Sequence, residues 1–379
     1  MERADFLVVG AGMAGASAAY ELARHGSVLL LEREPQPGYH STGRSAALYT
    51  QTYGHAVVRA MTVASWEFYT NPPDGFAEHP LLTPRGALII GRPDQADLLE
   101  DEYRQSRALV PSVERLDAAQ VMEMAPFLRP DYALAAVWEP EARDIDVHSL
   151  HHGYLRGLKA RGGRLVTGAE VTAAASRDGL WVVDTSAGSV AAPVLVNAAG
   201  AWADELAALA GVRPVGLVPK RRTAVTFDPV FADPGIKESL DRWPMVSDVG
   251  EGFYVKPDAG RLLASPADQT PMPPCDVQPD EFDVAVVIDR LEQATRFTVP
   301  RLAHRWAGLR SFVADKVPVV GFDDAAEGFF WLAGQGGYGI QTAPAMGRTA
   351  AALATGASLP PEVAALGVDV GDLAPSRLR

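Results

Sequence analysis

The run Gly10-Ala11-Gly12-Met13-Ala14-Gly15 has the spacing G-x-G-x-x-G and stands directly after the apolar stretch Asp5-Phe6-Leu7-Val8-Val9. Glycines at these places permit a tight turn, let a pyrophosphate approach the backbone, and let a helix pack closely on a strand. The helix start would offer unpaired N–H groups and a partial positive charge to phosphates. Glu32 closes the next apolar stretch, Ser27–Leu31, at the spacing where a carboxylate accepts from ribose hydroxyls. These residues together predict a dinucleotide site. A second glycine cluster, Gly334-Gln335-Gly336-Gly337-Tyr338-Gly339, follows the apolar stretch Phe329–Ala333 and precedes a helix predicted from near Ile340 to about Ala354. A second helix N-terminus aimed at the ligand would stabilise an anion there, which suits a reduced flavin.

The elements that must hold these clusters follow from periodicity. Asp5–Val9 reads as a buried parallel strand, Met13 to His25-Gly26 as a helix stopped by Gly26, and Ser27–Leu31 as a second strand. This is one β–α–β unit. Between Thr50 and Trp138 helix and strand mix, with a charged helix over Asp97–Ala108. Asp146 is the predicted cap of a helix running to about Arg161 and stopped by Gly162-Gly163. Val171–Ser176 and Leu180–Thr185 form a predicted hairpin through Asp178-Gly179. Val194-Leu195-Val196 reads as a buried strand feeding Asn197-Ala198-Ala199-Gly200 and a helix through Ala210. Residues 222 to 320 read as mixed strands and loops, with Pro271–Pro274 an exposed connection.

The nucleotide-binding pieces lie at the beginning, middle and end, so the domains are expected to be discontinuous. The predicted fold class is α/β: a doubly wound, Rossmann-like cofactor domain of residues 1–48, 139–221 and 321–379. A mixed-sheet α+β substrate domain of residues 49–138 and 222–320 completes it. His148, His151 and His152 share one face of the predicted helix after Asp146. Without neighbouring carboxylates or a thiolate they read as a solvated histidine face, not a metal site.

Composition narrows the function classes. A chain of 379 residues exceeds one compact core and suits two domains. No apolar stretch approaches the roughly 18 residues a membrane helix needs, and Met1-Glu2-Arg3-Ala4-Asp5 lacks the shape of a secretory signal. A single cysteine, Cys275, fits a reducing cytoplasm. The net charge of −13 argues against a nucleic-acid partner, since phosphate backbones need clustered positive charge.

Five segments, in order along nearly the whole chain, carry a resemblance. They are the opening glycine motif, His40-Ser41-Thr42-Gly43-Arg44-Ser45-Ala46, Asn197-Ala198-Ala199-Gly200-Ala201-Trp202, Trp306-Ala307-Gly308-Leu309-Arg310 and Gly334–Gly339. The chain resembles the FAD-dependent D-amino-acid oxidoreductase superfamily, the group of glycine and sarcosine oxidases, and within it the D-arginine dehydrogenases of bacteria. The resemblance implies a small amino-acid substrate, oxidised by hydride transfer from Cα to flavin N5, and hydrolysis of the imine to a 2-oxo acid and ammonia. It implies FAD contacts from the glycine motif and Glu32 to Arg33, Ser41, Thr42, Arg44–Ala47, Val171, Ala199, Gly200, Trp202, Gly308, Arg310, Gly334 and Gly336–Gln341. Ser45, Ala46, Ile340 and Gln341 belong to these segments. Some sarcosine oxidases attach the flavin to a cysteine near the last glycine cluster. No cysteine stands there, so non-covalent FAD is expected. The electron acceptor, a quinone or O2, is left open, and a membrane quinone would place the enzyme beside the inner membrane.

On the substrate side the resemblance assigns Arg222 and Arg310 to the substrate carboxylate, which a guanidinium fork grips bidentately. Tyr53 and Tyr254 match carboxylate donors, and the Gly337 carbonyl faces the amine. Leu48, Thr50, Ala87, Met245, Ser247 and Glu251 line the side-chain pocket. The sequence departs from the D-arginine dehydrogenase pattern here. After His79-Pro80-Leu81-Leu82, a glutamate of that pattern has become Ala87, and a histidine near Tyr49-Thr50 has become Leu48. An apolar wall would favour neutral D-amino acids over D-arginine or D-lysine, with Glu251 the residue able to restore an acid. Oxidation of sarcosine or glycine, or an FAD-carrying relay subunit, are the alternatives.

Overall fold

A computed structural model describes the whole chain, residues 1–379. A six-stranded sheet has the order Arg164–Val166, Val28–Leu31, Phe6–Val9, Val194–Asn197, Phe329–Ala333, Val319–Phe322. The first five strands are parallel and the last closes the edge antiparallel. Side chains alternate across a strand, so each sends residues into two cores. Phe6, Val8 and Leu30 pack with Ala18, Leu22, Met346 and Ala350 of the helices Met13–Leu22 and Ala343–Ala354. Leu7, Leu29, Leu195 and Trp331 face the other way. There they meet Trp181, Val183 and Val190 of a four-stranded sheet and Ala203 and Ala207 of the helix Ala203–Leu209.

The second large sheet has eight strands: Leu302–Phe312, Val218–Phe227, Arg261–Ser265, Tyr254–Asp258, Met245–Asp248, Ala87–Gly91, Ala135–Glu139 and Glu114–Asp117. Only Met245–Asp248 and Ala87–Gly91 pair in parallel. Leu88, Ile90, Val225, Val246 and Val255 bury one face against Val284, Val287 and Leu291 of the helix Glu281–Ala294. The alternate residues Ala87, Ile89, Arg222, Ala224, Met245, Ser247 and Tyr254 are therefore presented on the opposite face, where they line a cavity.

Several local expectations meet the structure closely. Asp178 (φ 53°) and Gly179 (φ 76°) are both left-handed, as a two-residue hairpin turn requires. The helix Val147–Ala160 ends where Gly162 (φ 83°) and Gly163 donate back to the Lys159 and Leu158 carbonyls. Other expectations need correction. The first helix ends at Leu22, and Gly26 is not its left-handed stop. A Cβ on Gly26 would press on the Asp5 carboxylate, which accepts from the Ser27 N–H and hydroxyl at 2.7 Å each. The last long helix starts at Ala343, after turns over 340–342. The helix Glu281–Ala294 falls in a region expected to hold only strands and loops. Asp280 caps it, and Val284, Val287, Ile288 and Leu291 carry the helical period that would have revealed it.

Candidate active site

A cavity of about 820 Å³ runs from the carboxyl ends of the parallel strands to the open face of the eight-stranded sheet. Carboxyl ends of parallel strands are where open α/β sheets place ligands. At this end Gly10 (φ 100°) passes so close to Ala198 that a Cβ would overlap the Ala198 carbonyl. Gly12, Met13 and Ala14 line the cavity. Gly15 does not; it lies beneath, where a Cβ would overlap the Gly10 carbonyl, so it serves helix–strand packing. Glu32 lines the cavity and also stiffens the loop: its carboxylate accepts from the Ala11 N–H at 2.8 Å and the Glu34 N–H at 3.0 Å.

Two neighbours complete this loop's hold. Thr42 Oγ1 accepts from the Met13 N–H at 2.9 Å, at the first turn of the helix. His151 Nε2 lies 2.9 Å from the Ala11 carbonyl, so it must carry the proton and donate. Of the three histidines, His148 is exposed and His152 half-buried, but His151 is only 3% exposed. The expectation of a solvated histidine face is wrong for His151, because tertiary packing brings the glycine loop onto that side of the helix.

Arg44 has a second, structural part to play. Its guanidinium is engaged by Asp276 and by the Val277 and Ala307 carbonyls, the latter two at 3.1 Å. Arg44 thus lines the cavity while its charged fork ties the 41–47 segment to the Leu302–Phe312 strand and the loop before Glu281. Ser41 Oγ similarly donates to the Leu309 carbonyl at 2.6 Å. Arg33 lies over the Trp202 ring at 4.3 Å. Ser45, Ala46, Ala47, Val171, Ala199, Gly200, Gly308 and the whole Gly334–Gln341 segment line the same cavity. Cys275 does not line it.

Strand alternation sorts the basic run Lys220-Arg221-Arg222. Arg221 points to the helix side, pairing with Asp283 at 2.7 Å, Asp280 at 3.3 Å and Asp268 at 3.6 Å. Arg222 points into the cavity. Its Nε donates to the Asp268 carbonyl at 2.9 Å, while its Nη2 is buried without a partner. Such a donor is costly unless something accepts from it. Across the strand pair Gly308 stands opposite Arg222, and Arg310 lies two residues on. Diagonal neighbours of this kind are about 7–8 Å apart, close enough to grip one small anion together.

Arg310 Nη2 donates to the Tyr53 hydroxyl at 2.8 Å. Burial disfavours the charge, but the phenol oxygens of Tyr53, Tyr338 and Tyr254 more than offset this and raise its proton affinity. Burial also pushes the Tyr338 phenol up to about 12. Gly337 lies flat on Arg310: a Cβ there would overlap the guanidinium. Gly336 (φ 52°) sits as tightly against the Phe312 ring.

The remaining wall is formed by Leu48, Thr50, Ala87, Met245, Ser247 and Tyr254. Glu251 lines the cavity with its carboxylate accepting from Gln269 Nε2 at 2.8 Å. One acid of this wall escaped the sequence reading. Glu139 stands directly opposite Ala87 in the sheet, lines the cavity and is 2% exposed. Nothing local marks it, since only strand register brings it beside Ala87.

Residues 5–353 match the family described as FAD dependent oxidoreductase, and the chain belongs to it. Among curated relatives, the mitochondrial dimethylglycine dehydrogenase of Rattus norvegicus is 29% identical over 276 residues, 70% of this chain but 31% of that protein. The chain thus spans under a third of that relative's length. The glycine oxidase of Geobacillus kaustophilus (strain HTA426) is 26% identical over 384 residues, 93% of each chain. The crystal structure of glycine oxidase from Geobacillus kaustophilus superposes with a TM-score of 0.80 at 23% identity, covering 94% of this chain and 96% of the other. The fold is the Rossmann-like FAD-binding fold of this family.

The residues present fit FAD. A glycine cradle that any Cβ would fill stands at the carboxyl ends of the strands, and the Gly334–Gly339 turn borders the same cavity. The chain thus carries the FAD cradle of the family it belongs to.

Proposed function

We propose that this enzyme oxidises the carbon–nitrogen bond of D-amino acids to give 2-oxo acids and ammonia. The observation that carries the reading is the pair Arg222 and Arg310, with Arg222 Nη2 unpaired and Arg310 braced by Tyr53, at the wall of the cavity that the glycine cradle also lines. An electron relay needs no such grip on an anion.

The glycine motif, Glu32, Thr42, Trp202 and the Gly334–Gln341 segment would hold FAD without a covalent bond. Bound FAD supplies a hydride acceptor. The protein's own part is to bind and orient. Arg222 and Arg310 grip the substrate carboxylate, with Tyr53 and Tyr254 as further donors, and Gly337 offers its carbonyl to the amine. The two guanidinium charges disfavour an ammonium beside them, so the substrate nitrogen gives up its proton before Cα is oxidised. Loss of the Cα hydride and the nitrogen proton leaves an imine, which water hydrolyses. Positioning accounts for the protein's share of the rate.

The pocket wall supports neutral side chains. Ala87 and Leu48 bring no charge, and the nearby acids are engaged: Glu251 by Gln269, Glu139 by Thr50, Gln51 and Thr52, Glu102 by the Ser106 hydroxyl at 2.8 Å. A guanidinium brought there would be desolvated without a free partner, at a cost of several kcal/mol. An apolar side chain gains about 25 cal/mol per Å² buried. Oxidation of glycine or its N-methylated forms, such as sarcosine, is the second reading, favoured by the relatives named glycine oxidase and dimethylglycine dehydrogenase.

An anaerobic screen tests both. Amino-acid enantiomers, sarcosine and dimethylglycine are mixed with the FAD-loaded enzyme, and loss of the oxidised flavin absorbance is followed. D-leucine, D-methionine or D-phenylalanine should reduce the flavin, with kcat/KM at least about tenfold above D-arginine, the factor that 1.4 kcal/mol provides. A D-arginine value equal to the best apolar substrate would refute the pocket argument. Reduction by sarcosine alone would favour the second reading, and reduction by none would leave an electron-relay protein.

A further inference from the structure

Glu139 is the last residue of the strand Ala135–Glu139 and faces the cavity in a row with Ala87 and Met245 on the neighbouring strands. Its carboxylate is not a free acid of the wall. Oε2 accepts from the Thr50 hydroxyl at 2.6 Å and the Thr52 hydroxyl at 2.7 Å, and Oε1 accepts from the Gln51 N–H at 2.8 Å. Three successive residues, in a stretch without helix or strand, are thus gathered on one carboxylate. The next residue, Tyr53, is 37% exposed, and its hydroxyl meets Arg310. The only other side chain bonded to the backbone of 50–52 is Gln341, which donates to the Thr50 carbonyl at 3.3 Å.

Burying a carboxylate is unfavourable, and here burial pushes its pKa up while the Thr50, Thr52 and Gln51 donors pull it back. Alanine at position 87 leaves the neighbouring place small. The acid is kept inside, against that cost, at the point where the 50–53 segment crosses from the three-stranded sheet containing Leu48–Tyr49 to the helix Ala56–Thr70.

We propose that Glu139 is a positioning residue, whose carboxylate clasps Thr50–Thr52 so that the Tyr53 hydroxyl meets Arg310 and completes the carboxylate grip. This rests on the functional reading above for its effect on turnover. It assigns Glu139 no contact with the substrate side chain, and so separates it from a counter-ion for a cationic substrate.

The test uses the FAD-loaded enzyme with Glu139→Ala, Glu139→Gln, Tyr53→Phe and the double variant Glu139→Ala/Tyr53→Phe. Glu139→Ala should lower kcat/KM by about 10- to 100-fold, the scale of a small misplacement of a reacting group. The loss should be alike for D-leucine and D-arginine. Glu139→Gln can keep its oxygen on the Gln51 N–H and donate its amide to the Thr50 and Thr52 hydroxyls, so it should recover most of the rate. In the Tyr53→Phe background, Glu139→Ala should add little, because neighbours acting through one contact are not additive. Additive losses, or a loss confined to D-arginine, would overturn the proposal. A readout independent of substrate is chymotryptic cleavage after Tyr53, which Glu139→Ala should accelerate and Glu139→Gln should leave near the wild-type rate. An unchanged cleavage rate in Glu139→Ala would also overturn it. If no amino acid reduces the flavin, the functional reading fails, whereas faster cleavage after Tyr53 would still support the clasp.

Discussion

Arg310 and Gly337 act as one unit. The guanidinium keeps its place over the glycine only because no Cβ stands there, and it reaches Tyr53 from that place. Arg310→Ala should lower kcat/KM by about 30- to several-thousand-fold, the equivalent of 2–5 kcal/mol for removing one partner of a desolvated charge contact. FAD content should stay close to that of the wild type. Gly337→Ala deletes nothing, yet it should lose a comparable factor by displacing the guanidinium. Steady-state kinetics on both variants check this, and a near-normal kcat/KM in either would remove Arg310 from the grip. Arg222 behaves differently, since a carbonyl already holds its Nε while its buried Nη2 is left without a protein partner.

At the scale of elements, strand alternation decides which side chain does what. It sends Arg221 to the acids around the helix Glu281–Ala294 and Arg222 into the cavity, although they are sequence neighbours. The glycine loop shows the same economy: Glu32 takes the Ala11 N–H, and His151 donates to the Ala11 carbonyl. Burial lowers the His151 pKa below its ordinary value, helped by nearby His152 and His148. The unfolded chain takes up this proton near pH 6.5, the folded chain only at lower pH. His151 therefore contributes stability that is complete above about pH 6.5 and is lost as pH falls through the folded value. Replacing it with glutamine keeps a donor and removes the titration. The fall in apoprotein Tm between about pH 7.5 and 5.5 should be smaller in His151→Gln than in wild type. Parallel curves would show that His151 is not the titrating group.

For the whole molecule, the cavity lies between two sheets whose strands come from interleaved stretches of chain. Residues 6–31, 164–197 and 319–333 supply the six-stranded sheet, and residues 87–139 and 218–312 supply the eight-stranded one. We propose these sheets as the cores of the cofactor and substrate domains, near the division expected at 1–48, 139–221 and 321–379 against 49–138 and 222–320. Glu139 and residues 218–221 fall on the substrate side, because they pair into the eight-stranded sheet. No helix is long and apolar enough to cross a membrane. Because Cys275 lies off the cavity, heat or acid denaturation should release intact FAD into the supernatant. Flavin retained by the precipitated chain would overturn non-covalent binding. Saturating FAD at about 100 times its Kd should stabilise the fold by about 2.7 kcal/mol, readable as a rise in Tm.

The amino-acid sequence by itself determined the β–α–β unit, both glycine clusters and the hairpin at Asp178-Gly179. Each depends on local backbone freedom or on a period within one element, and such signals survive in a linear string. Through their likeness to a family it also pointed to Arg222, Arg310, Tyr53 and Ala87, which line the cavity. What it did not contain was the placement of residues brought together by register and packing. Glu139 stands beside Ala87 only because two strands pair at that offset. His151 meets the glycine loop across its helix, and the Arg44 fork meets Asp276 besides the Val277 and Ala307 carbonyls. Those neighbours are separated by 52, 140 and 232 residues of chain. A contact over such distances is set by the summed packing of whole sheets, and the tertiary structure alone decides it.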